Sequence, residues 1–316
     1  MSTAFLFPGQ GAQHVGMAKE LHDRFASARA IFQQAADATG LELTTLCFQG
    51  PEDELARTDI AQPAIFTVSA AMLAVLDEIL PDDKRRSIQP AYFAGLSLGE
   101  YSALYAADAL DFTDMVKLVA RRGELMQAAA TATPSGMVSV LGMDEQQARD
   151  LVAEAAGDGQ ALSCANFNCP GQIVLSGEAA AVKRAAELAP QFGAGGAIEL
   201  KVAGAFHSEL MAPAAEKFAG ALADVTFRTP SGPVLSNVDA EAHTDSDSIK
   251  KKLLAQLTSP VRWQQCMEKL LENGVETFYE IGPGRVLAGL MRRIHRRADF
   301  TSLKDAASIE KLAAAE

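Results

Sequence analysis

A glycine-flanked serine between a predicted strand and a predicted helix constrains the fold of this chain more than any other feature. The segment Gly95-Leu-Ser-Leu-Gly99 follows a short apolar run at residues 90–94 and opens a helical pattern over residues 99–108. The two glycines let the backbone pack closely around a strained turn. Such a turn lifts the serine hydroxyl above a sheet, at the positive end of the following helix. The pattern predicts an α/β protein and favours a nucleophilic Ser97 over a purely structural turn.

The elements around this turn predict a large body with an insertion. In the body we expect strands at 4–7, 90–94, 234–237 and 277–281, and helices at 15–25, 27–39, 63–80, 99–108, 111–130, 213–222, 247–257, 260–272 and 285–296. Residues 137–202 instead predict strand, helix, two strands joined by a turn at 168–171, helix and strand. This β-α-β-β-α-β order is typical of a ferredoxin-like domain. We therefore expect a body from residues 1–133 and 203–316 and an insertion at 134–202. The tail after Asp299 is weakly patterned.

The composition argues against several classes of protein. The 316 residues are 48% hydrophobic and carry a net charge of −12, which disfavours binding to nucleic acid or to anionic membranes. Four cysteines without a CxxC pair are expected to be free thiols in a reducing cytoplasm. No cluster has zinc-ligand spacing, and no signal peptide is expected. The apolar stretch at 60–76 is interpreted as a buried helix with Pro63 in its first turn.

A serine nucleophile requires a base, and His207 is the best-placed histidine. It lies in Gly204-Ala-Phe-His-Ser208, between a predicted strand and a predicted helix, where an α/β fold collects its catalytic groups. The other four histidines are interpreted as solvated or capping residues. His243 in particular, surrounded by Asp, Ser and Thr, is expected in a surface loop.

Seven motifs in chain order resemble malonyl-coenzyme A:acyl carrier protein transacylases. They are Phe7-Pro-Gly-Gln-Gly-Ala-Gln13, Gly95-Leu-Ser-Leu-Gly-Glu-Tyr101, Arg122-Gly-Glu-Leu-Met-Gln127, Asn166-Phe-Asn-Cys-Pro-Gly-Gln172, Ala205-Phe-His-Ser208, Ser236-Asn-Val238 and Glu280-Ile-Gly-Pro-Gly284. Together they cover almost the whole chain. The resemblance implies an α/β-hydrolase-like body with a ferredoxin-like insertion, in agreement with the predicted order of elements.

The resemblance also implies a role for each matching residue. Ser97 matches the acylated nucleophile and His207 the base. A main-chain carbonyl at Gln256 takes the place of a third, carboxylate member. The backbone N–H groups of Gln10 and Leu98 match the oxyanion hole.

Four further residues match the substrate pocket. Arg122 matches the arginine that binds the free carboxylate of malonate, a role that suits the planar guanidinium fork. Without the resemblance it would be interpreted as a solvated charge beside Arg121. Gln62 and Asn166 match polar lining, although capping or turn roles explain them nearly as well. Phe206, just before the histidine, matches a bulky residue that goes with malonyl over methylmalonyl selection in related polyketide acyltransferases.

One position departs from the family pattern. Leu96 stands where the family usually has histidine before the nucleophile. The change leaves the serine–histidine pair intact. It raises the question of how Arg122 is positioned and how strongly malonate is preferred.

The implied activity is transfer of a malonyl group from malonyl-CoA to an acyl carrier protein through a serine ester, with ping-pong kinetics and no metal or bound cofactor. Two alternatives remain: a hydrolase on the same scaffold, and a non-enzymatic scaffold that binds the carrier. The residues do not distinguish fatty acid from polyketide synthesis. Acidic carriers need a cationic patch, for which Arg292 and Arg293 are the first candidates, ahead of the basic clusters at 84–86 and 250–252.

Overall fold

Two β-sheets organise the part of the chain that the computed structural model describes, residues 2–157 and 159–315. A five-stranded parallel sheet has the order β7-β2-β1-β8-β9, and a four-stranded antiparallel sheet has the order β4-β5-β3-β6. The strands are β1 (Ser2–Phe7), β2 (Tyr92–Gly95), β3 (Ser135–Leu141), β4 (Leu162–Cys169), β5 (Gln172–Glu178), β6 (Gly196–Glu199), β7 (Val234–Leu235), β8 (Val275–Ile281) and β9 (Asp299–Leu303). The fold is therefore mixed α/β, as the sequence predicts.

Helices pack against both sheets. In the described residues the α-helices are α1 (Lys19–Arg24), α2 (Ala26–Thr39), α3 (Leu43–Gln49), α4 (Glu52–Leu55), α5 (Thr58–Ile79), α6 (Asp82–Ser87), α7 (Gly99–Ala106), α8 (Phe112–Ala132), α9 (Glu145–Ala156), α10 (Ala179–Leu188), α11 (Ala212–Ala223), α12 (Ser246–Gln256), α13 (Trp263–Glu272), α14 (Val286–Ile294) and α15 (Ala306–Ala314).

Helix α5 forms the centre of the core beside the parallel sheet. It is the one helix in the described residues that is long and apolar enough to cross a membrane, but 83% of its most apolar window is buried inside the protein. A helix that is apolar on all sides is expected in the core. The predicted buried helix is thus confirmed. The predicted place of Pro63 is wrong, because the helix begins at Thr58 and Pro63 lies in its interior.

The antiparallel sheet lies entirely between residues 135 and 199 and has the predicted β-α-β-β-α-β order. Local signals set its elements. Asp144 forms a capping box at the start of α9. Cys169 pairs with Gln172, so that Pro170 and Gly171 alone join β4 to β5, and Gly171 has the positive φ of +70° that glycine tolerates.

Several elements differ from prediction. The first helix begins at Lys19 instead of residue 15, because Gly16 and Ala18 have positive φ angles. Helix α14 ends at Ile294, so Arg296 lies beyond it. The weakly patterned tail forms β9 at the edge of the parallel sheet and then α15. Its pattern is weak because an edge strand is only partly covered.

Candidate active site

Ser97 lies at the sharp turn between β2 and α7. Its φ of +52° is in the left-handed region, which a residue other than glycine adopts only at a cost. A Cβ atom on Gly95 would lie 1.9 Å from the backbone of Gly99, and one on Gly99 would lie 2.1 Å from the carbonyl oxygen of Phe7. Glycine is therefore required on both sides of the serine. This is the geometry of a nucleophile elbow.

His207 reaches the Ser97 hydroxyl from the loop after β6. The Ser97 Oγ to His207 Nε2 distance is 2.7 Å, and His207 Nδ1 lies 2.7 Å from the carbonyl oxygen of Gln256. Because a carbonyl only accepts hydrogen bonds, Nδ1 carries the proton and Nε2 is left to accept from the serine. The Gln256 carbonyl thus sets the tautomer that a general base needs.

The surroundings keep the His207 imidazole neutral. Burial lowers the pKa of His207 to about 4, and the positive charge of Arg122 acts in the same direction, whereas the hydrogen bond to Gln256 opposes it. Burial disfavours the charged form of a histidine, and a nearby cation does so too. At neutral pH the ring is a base that can accept the serine proton.

Two backbone amides are candidates for an oxyanion site. Gln10 and Leu98 both line the cavity that contains Ser97 and His207. In the described part of the chain, neither amide has a protein acceptor. The amide of Ser97 itself is already used, since it donates to Asn237 Oδ1 at 2.6 Å. The candidates from the sequence are therefore available to hold an oxyanion.

Arg122 lies inside the site and is fully buried. Its Nη1 donates to Gln62 Oε1 at 2.6 Å, and its Nη2 donates to Gln256 Oε1 at 2.8 Å and to Ser97 Oγ at 3.1 Å. The guanidinium also stacks at 5.1 Å from the ring centroid of Tyr101. Burial lowers the pKa of Arg122. The alternative of a solvated helix charge is wrong.

The remaining pocket candidates line the same cavity of about 230 Å³. Gln62 is buried and accepts from Arg122, so it positions the cation in addition to lining the pocket. Asn166 and Phe206 are also buried, and the carbonyl of Phe206 accepts from Ser176 Oγ at 2.7 Å. Leu96 lines the cavity as well but is not among the partners of Arg122. The guanidinium is thus oriented without help from position 96.

Sequence reasoning missed a buried polar network behind Ser97. The Asn237 side chain binds the elbow and the Gln256 side chain binds Arg122. The Asn237 backbone amide and the Gln256 side-chain amide both donate to the Glu100 carboxylate. His243 joins this network with its Nε2 2.9 Å from Glu100 Oε1. The predicted surface loop for His243 is wrong, because its side chain is inaccessible to solvent. The one signal in the sequence is the Ser236-Asn-Val238 motif, for which the sequence alone indicates no role.

The two arginines expected to bind the carrier lie on α14, whose residues Val286 and Leu290 line the Ser97 cavity. Arg293 is exposed and donates to the carbonyls of Pro170 and Gly171, at 3.1 and 3.3 Å. Arg292 is exposed beside a separate surface cavity whose lining includes four more basic residues, Arg285, His295, Arg296 and Lys304.

The described residues contain no group of three or more His, Cys, Asp or Glu side chains that could share a metal ion. All four cysteines are free thiols, as predicted, and all four are buried.

Residues 4–313 match the family model described as the acyl transferase domain. The chain belongs to this family. Among curated members, it is 45% identical to the malonyl CoA-acyl carrier protein transacylase of Bacillus subtilis, over 97% of this chain and 95% of the relative. It is 42% identical to the transacylase of the same name from Escherichia coli K12, over 92% of each chain.

Solved structures of acyl transferases agree with this assignment. A malonyl-transacylase in complex with its type II polyketide synthase acyl-carrier protein superposes with a TM-score of 0.93 at 39% identity, over 99% of both chains. An acyl carrier protein S-malonyltransferase from Vibrio cholerae gives a TM-score of 0.92 at 40% identity, over 99% of this chain and all of the other. The resemblance inferred from the seven motifs is confirmed.

Proposed function

We propose that this chain transfers the malonyl group of malonyl-CoA to the phosphopantetheine thiol of an acyl carrier protein, through a malonyl ester on Ser97. One observation carries the proposal. A serine–histidine pair at 2.7 Å shares a cavity with a fully buried arginine that contacts the serine. Nucleophile, base and carboxylate-binding cation lie together in a chain whose relatives are malonyl transacylases.

Acylation starts at the serine hydroxyl. His207 Nε2 takes the proton from Ser97 Oγ as the oxygen attacks the thioester carbonyl carbon. The carbonyl oxygen becomes negative and accepts hydrogen bonds from the backbone N–H groups of Gln10 and Leu98. When the C–S bond breaks, the proton passes from His207 to the sulfur and coenzyme A leaves as the thiol. The malonyl group remains esterified to Ser97.

Transfer to the carrier reverses these events with a different thiol. The pantetheine thiol gives its proton to His207 and attacks the ester carbonyl. The same two amides hold the second oxyanion, and the C–O bond to Ser97 then breaks as His207 returns the proton to the serine. Each step uses only groups of the chain and its two substrates, so we propose that no resident cofactor takes part.

Arg122 provides the preference for malonate. A malonyl carboxylate must lose its water to come close to Ser97, and only a fixed cation compensates for that loss. The guanidinium is held by Gln62 and Gln256 with its Nη2 next to the serine, so one face of the acyl pocket is cationic. Phe206 and Asn166 complete the pocket beside the acyl group. The hydrolase and scaffold alternatives are not favoured, because the relatives are transacylases and an editing hydrolase has little use for this arginine.

The finer architecture and the cellular context are also proposals. We assign residues 1–133 and 203–316 to an α/β-hydrolase-like body and residues 134–202 to a ferredoxin-like insertion. The positions of the two sheets along the chain and the sheet order β4-β5-β3-β6 support this division. A cytoplasmic location fits the four free thiols. We place the carrier at Arg292 and Arg293, where basic side chains cluster near the Ser97 cavity.

The test is the intact mass of the protein after mixing with malonyl-, acetyl- or methylmalonyl-CoA. The wild type should gain one malonyl group and release it when a carrier with a free pantetheine thiol is added. Ser97→Ala should gain none, whereas Ser87→Ala, at an exposed serine on α6, should label normally. Rapid loss of the adduct to water without a carrier would instead indicate a hydrolase.

A further inference from the structure

A buried carboxylate that the reaction does not use lies directly behind the nucleophile. Glu100 is in the first turn of α7, three residues after Ser97, and is fully buried. Burying a charge without hydrogen-bond partners costs free energy, so the groups that bind Glu100 show how its burial is tolerated. Three N–H groups converge on it: His243 Nε2 at 2.9 Å, the Asn237 backbone amide at 2.9 Å and Gln256 Nε2 at 2.7 Å. A carboxylate accepts from all three when the His243 proton is on Nε2.

Two of these partners, Asn237 and Gln256, also bind the catalytic pair: Asn237 binds Ser97, and Gln256 binds His207. Asn237 accepts from the Ser97 amide at 2.6 Å and donates to the Gly95 carbonyl at 2.8 Å, so it holds the strained elbow on both sides of residue 96. Gln256 presents its carbonyl to His207, while its side-chain oxygen accepts from Arg122. The orientations of Ser97, His207 and Arg122 therefore all depend on residues that bind Glu100.

His243 is the third hydrogen-bond partner of the Glu100 carboxylate. Its ring is inaccessible to solvent and must carry its proton on Nε2 to donate to Glu100 Oε1. The other two donors both bind Oε2, so His243 is the one side chain in the described part of the chain that satisfies Oε1. Without it, half of a buried carboxylate would lack a partner, and Glu100 would gain by rotating away from Asn237 and Gln256.

We propose that Glu100 and His243 form a positioning pair that fixes the Ser97 elbow through Asn237 and the His207 base through Gln256. Neither residue lines the Ser97 cavity, and both act through Asn237 and Gln256. The inference rests on the proposed function, since its readout is acylation of Ser97.

The test measures acylation with acetyl-CoA. Because acetyl-CoA has no carboxylate for Arg122 to bind, a change in rate reports the positioning of Ser97 and His207 and not the binding of malonate. His243→Leu removes the donor to Oε1 and should lower the limiting acylation rate about tenfold, as expected for loss of a hydrogen bond to a buried charge. The half-saturating concentration of acetyl-CoA should change little. His243→Gln keeps an N–H donor and should restore most of the rate.

Glu100→Leu removes the acceptors of all three donors and should lower the limiting rate by about 100-fold or more. Glu100→Gln, which keeps an oxygen for Asn237 and Gln256, should fall between this variant and the wild type. Glu280→Leu is the matched control. Glu280 is equally buried and also accepts three hydrogen bonds, from Leu287, Ala288 and Ser302, outside this network.

The control should lower the melting temperature without lowering the limiting rate of the folded fraction. The proposal is overturned if His243→Leu and Glu100→Leu acylate at the wild-type limiting rate. It is also overturned if the decrease in acylation rate of these variants is explained by their unfolded fraction alone, as expected for Glu280→Leu. A His243→Gln variant that acylates as slowly as His243→Leu would overturn it as well. Should Glu100→Leu fail to fold, the two His243 variants decide alone. If the wild type forms no malonyl adduct, it is the proposed function that fails.

Discussion

Replacing Arg122 with alanine tests the substrate assignment most directly. In the free protein the guanidinium is fully buried and donates to three acceptors, Gln62, Gln256 and Ser97. The Nε atom is buried and has no hydrogen-bond partner among the described residues. Removal of the arginine takes away a buried cation that contacts Ser97.

The magnitude follows from burial. Removing one partner of a buried, hydrogen-bonded charge pair costs roughly 3–5 kcal/mol, which corresponds to about 100- to 3,000-fold in malonyl loading. The same change also leaves the side-chain oxygens of Gln62 and Gln256 without their donor, and this loss affects every acyl group. Acetyl loading reports the shared loss, because acetyl has no carboxylate. The ratio of malonyl to acetyl loading rates therefore isolates the contribution of the cation.

The assay is the rate of adduct formation on Ser97, followed by mass with each acyl-CoA. Arg121→Ala is the matched control, because the Arg121 side chain is 44% exposed and pairs with Glu124 on the same helix. It should leave both rates close to the wild type, as surface ion pairs contribute little. An unchanged malonyl-to-acetyl ratio in Arg122→Ala would refute the reasoning and remove the main support for malonate as substrate.

Leu96 provides a second comparison in the same assay. It lines the cavity but offers no hydrogen bond to the guanidinium, which is bound by Gln62 and Gln256 and stacks on Tyr101. We expect Leu96→His to raise the malonyl-to-acetyl ratio by adding a polar group beside the serine. If Leu96 has already loosened the binding of malonate, the loss in Arg122→Ala will fall below the range given above.

Three other predictions concern the base, the pocket and the carrier. Since burial lowers the pKa of His207 to about 4, the limiting rate with acetyl-CoA should stay level as the pH falls from about 7 to about 5 and drop only near pH 4; a drop near the usual histidine value of about 6.5 would contradict this. Phe206 should make malonyl loading faster than methylmalonyl loading by about 10- to 200-fold, and Phe206→Ala should narrow that ratio, whereas equal rates in the wild type would count against its role. Reversing Arg292 and Arg293 to Glu should slow transfer to an acidic carrier and spare acylation by malonyl-CoA; an unchanged, salt-insensitive transfer rate would place the carrier elsewhere.

Local signals account for what the sequence predicted well. The elbow could be found because two glycines, a preceding strand and a following helix lie within a few residues of Ser97. The antiparallel sheet could be found because its cap at Asp144 and its hairpin turn at Pro170 and Gly171 are set by neighbouring residues. Residue types at short spacing determine such elements, so no knowledge of the tertiary structure is needed.

The environment of His243 could not be predicted in this way. Its neighbours Thr244 and Asp245 are polar and exposed, and Asp245 caps α12, so the segment has the composition of a surface loop. The ring is nevertheless buried because its partner is Glu100, 143 residues away along the chain. Only the tertiary structure brings donor and acceptor together. The error therefore comes from a long-range pairing that composition does not encode.

Glu100 shows how a local rule can conceal such a pairing. An acidic residue in the first turn of a helix is expected from the helix dipole alone, so its presence in α7 calls for no further explanation. A residue that served only the dipole would stay in solvent, as Glu20 does in the first turn of α1. Glu100 is instead fully buried and accepts three hydrogen bonds, an arrangement the dipole does not require. The burial of Glu100 therefore distinguishes a positioning residue from an acidic residue that serves only the helix dipole. Through Asn237 and Gln256, its hydrogen bonds connect it to both Ser97 and His207.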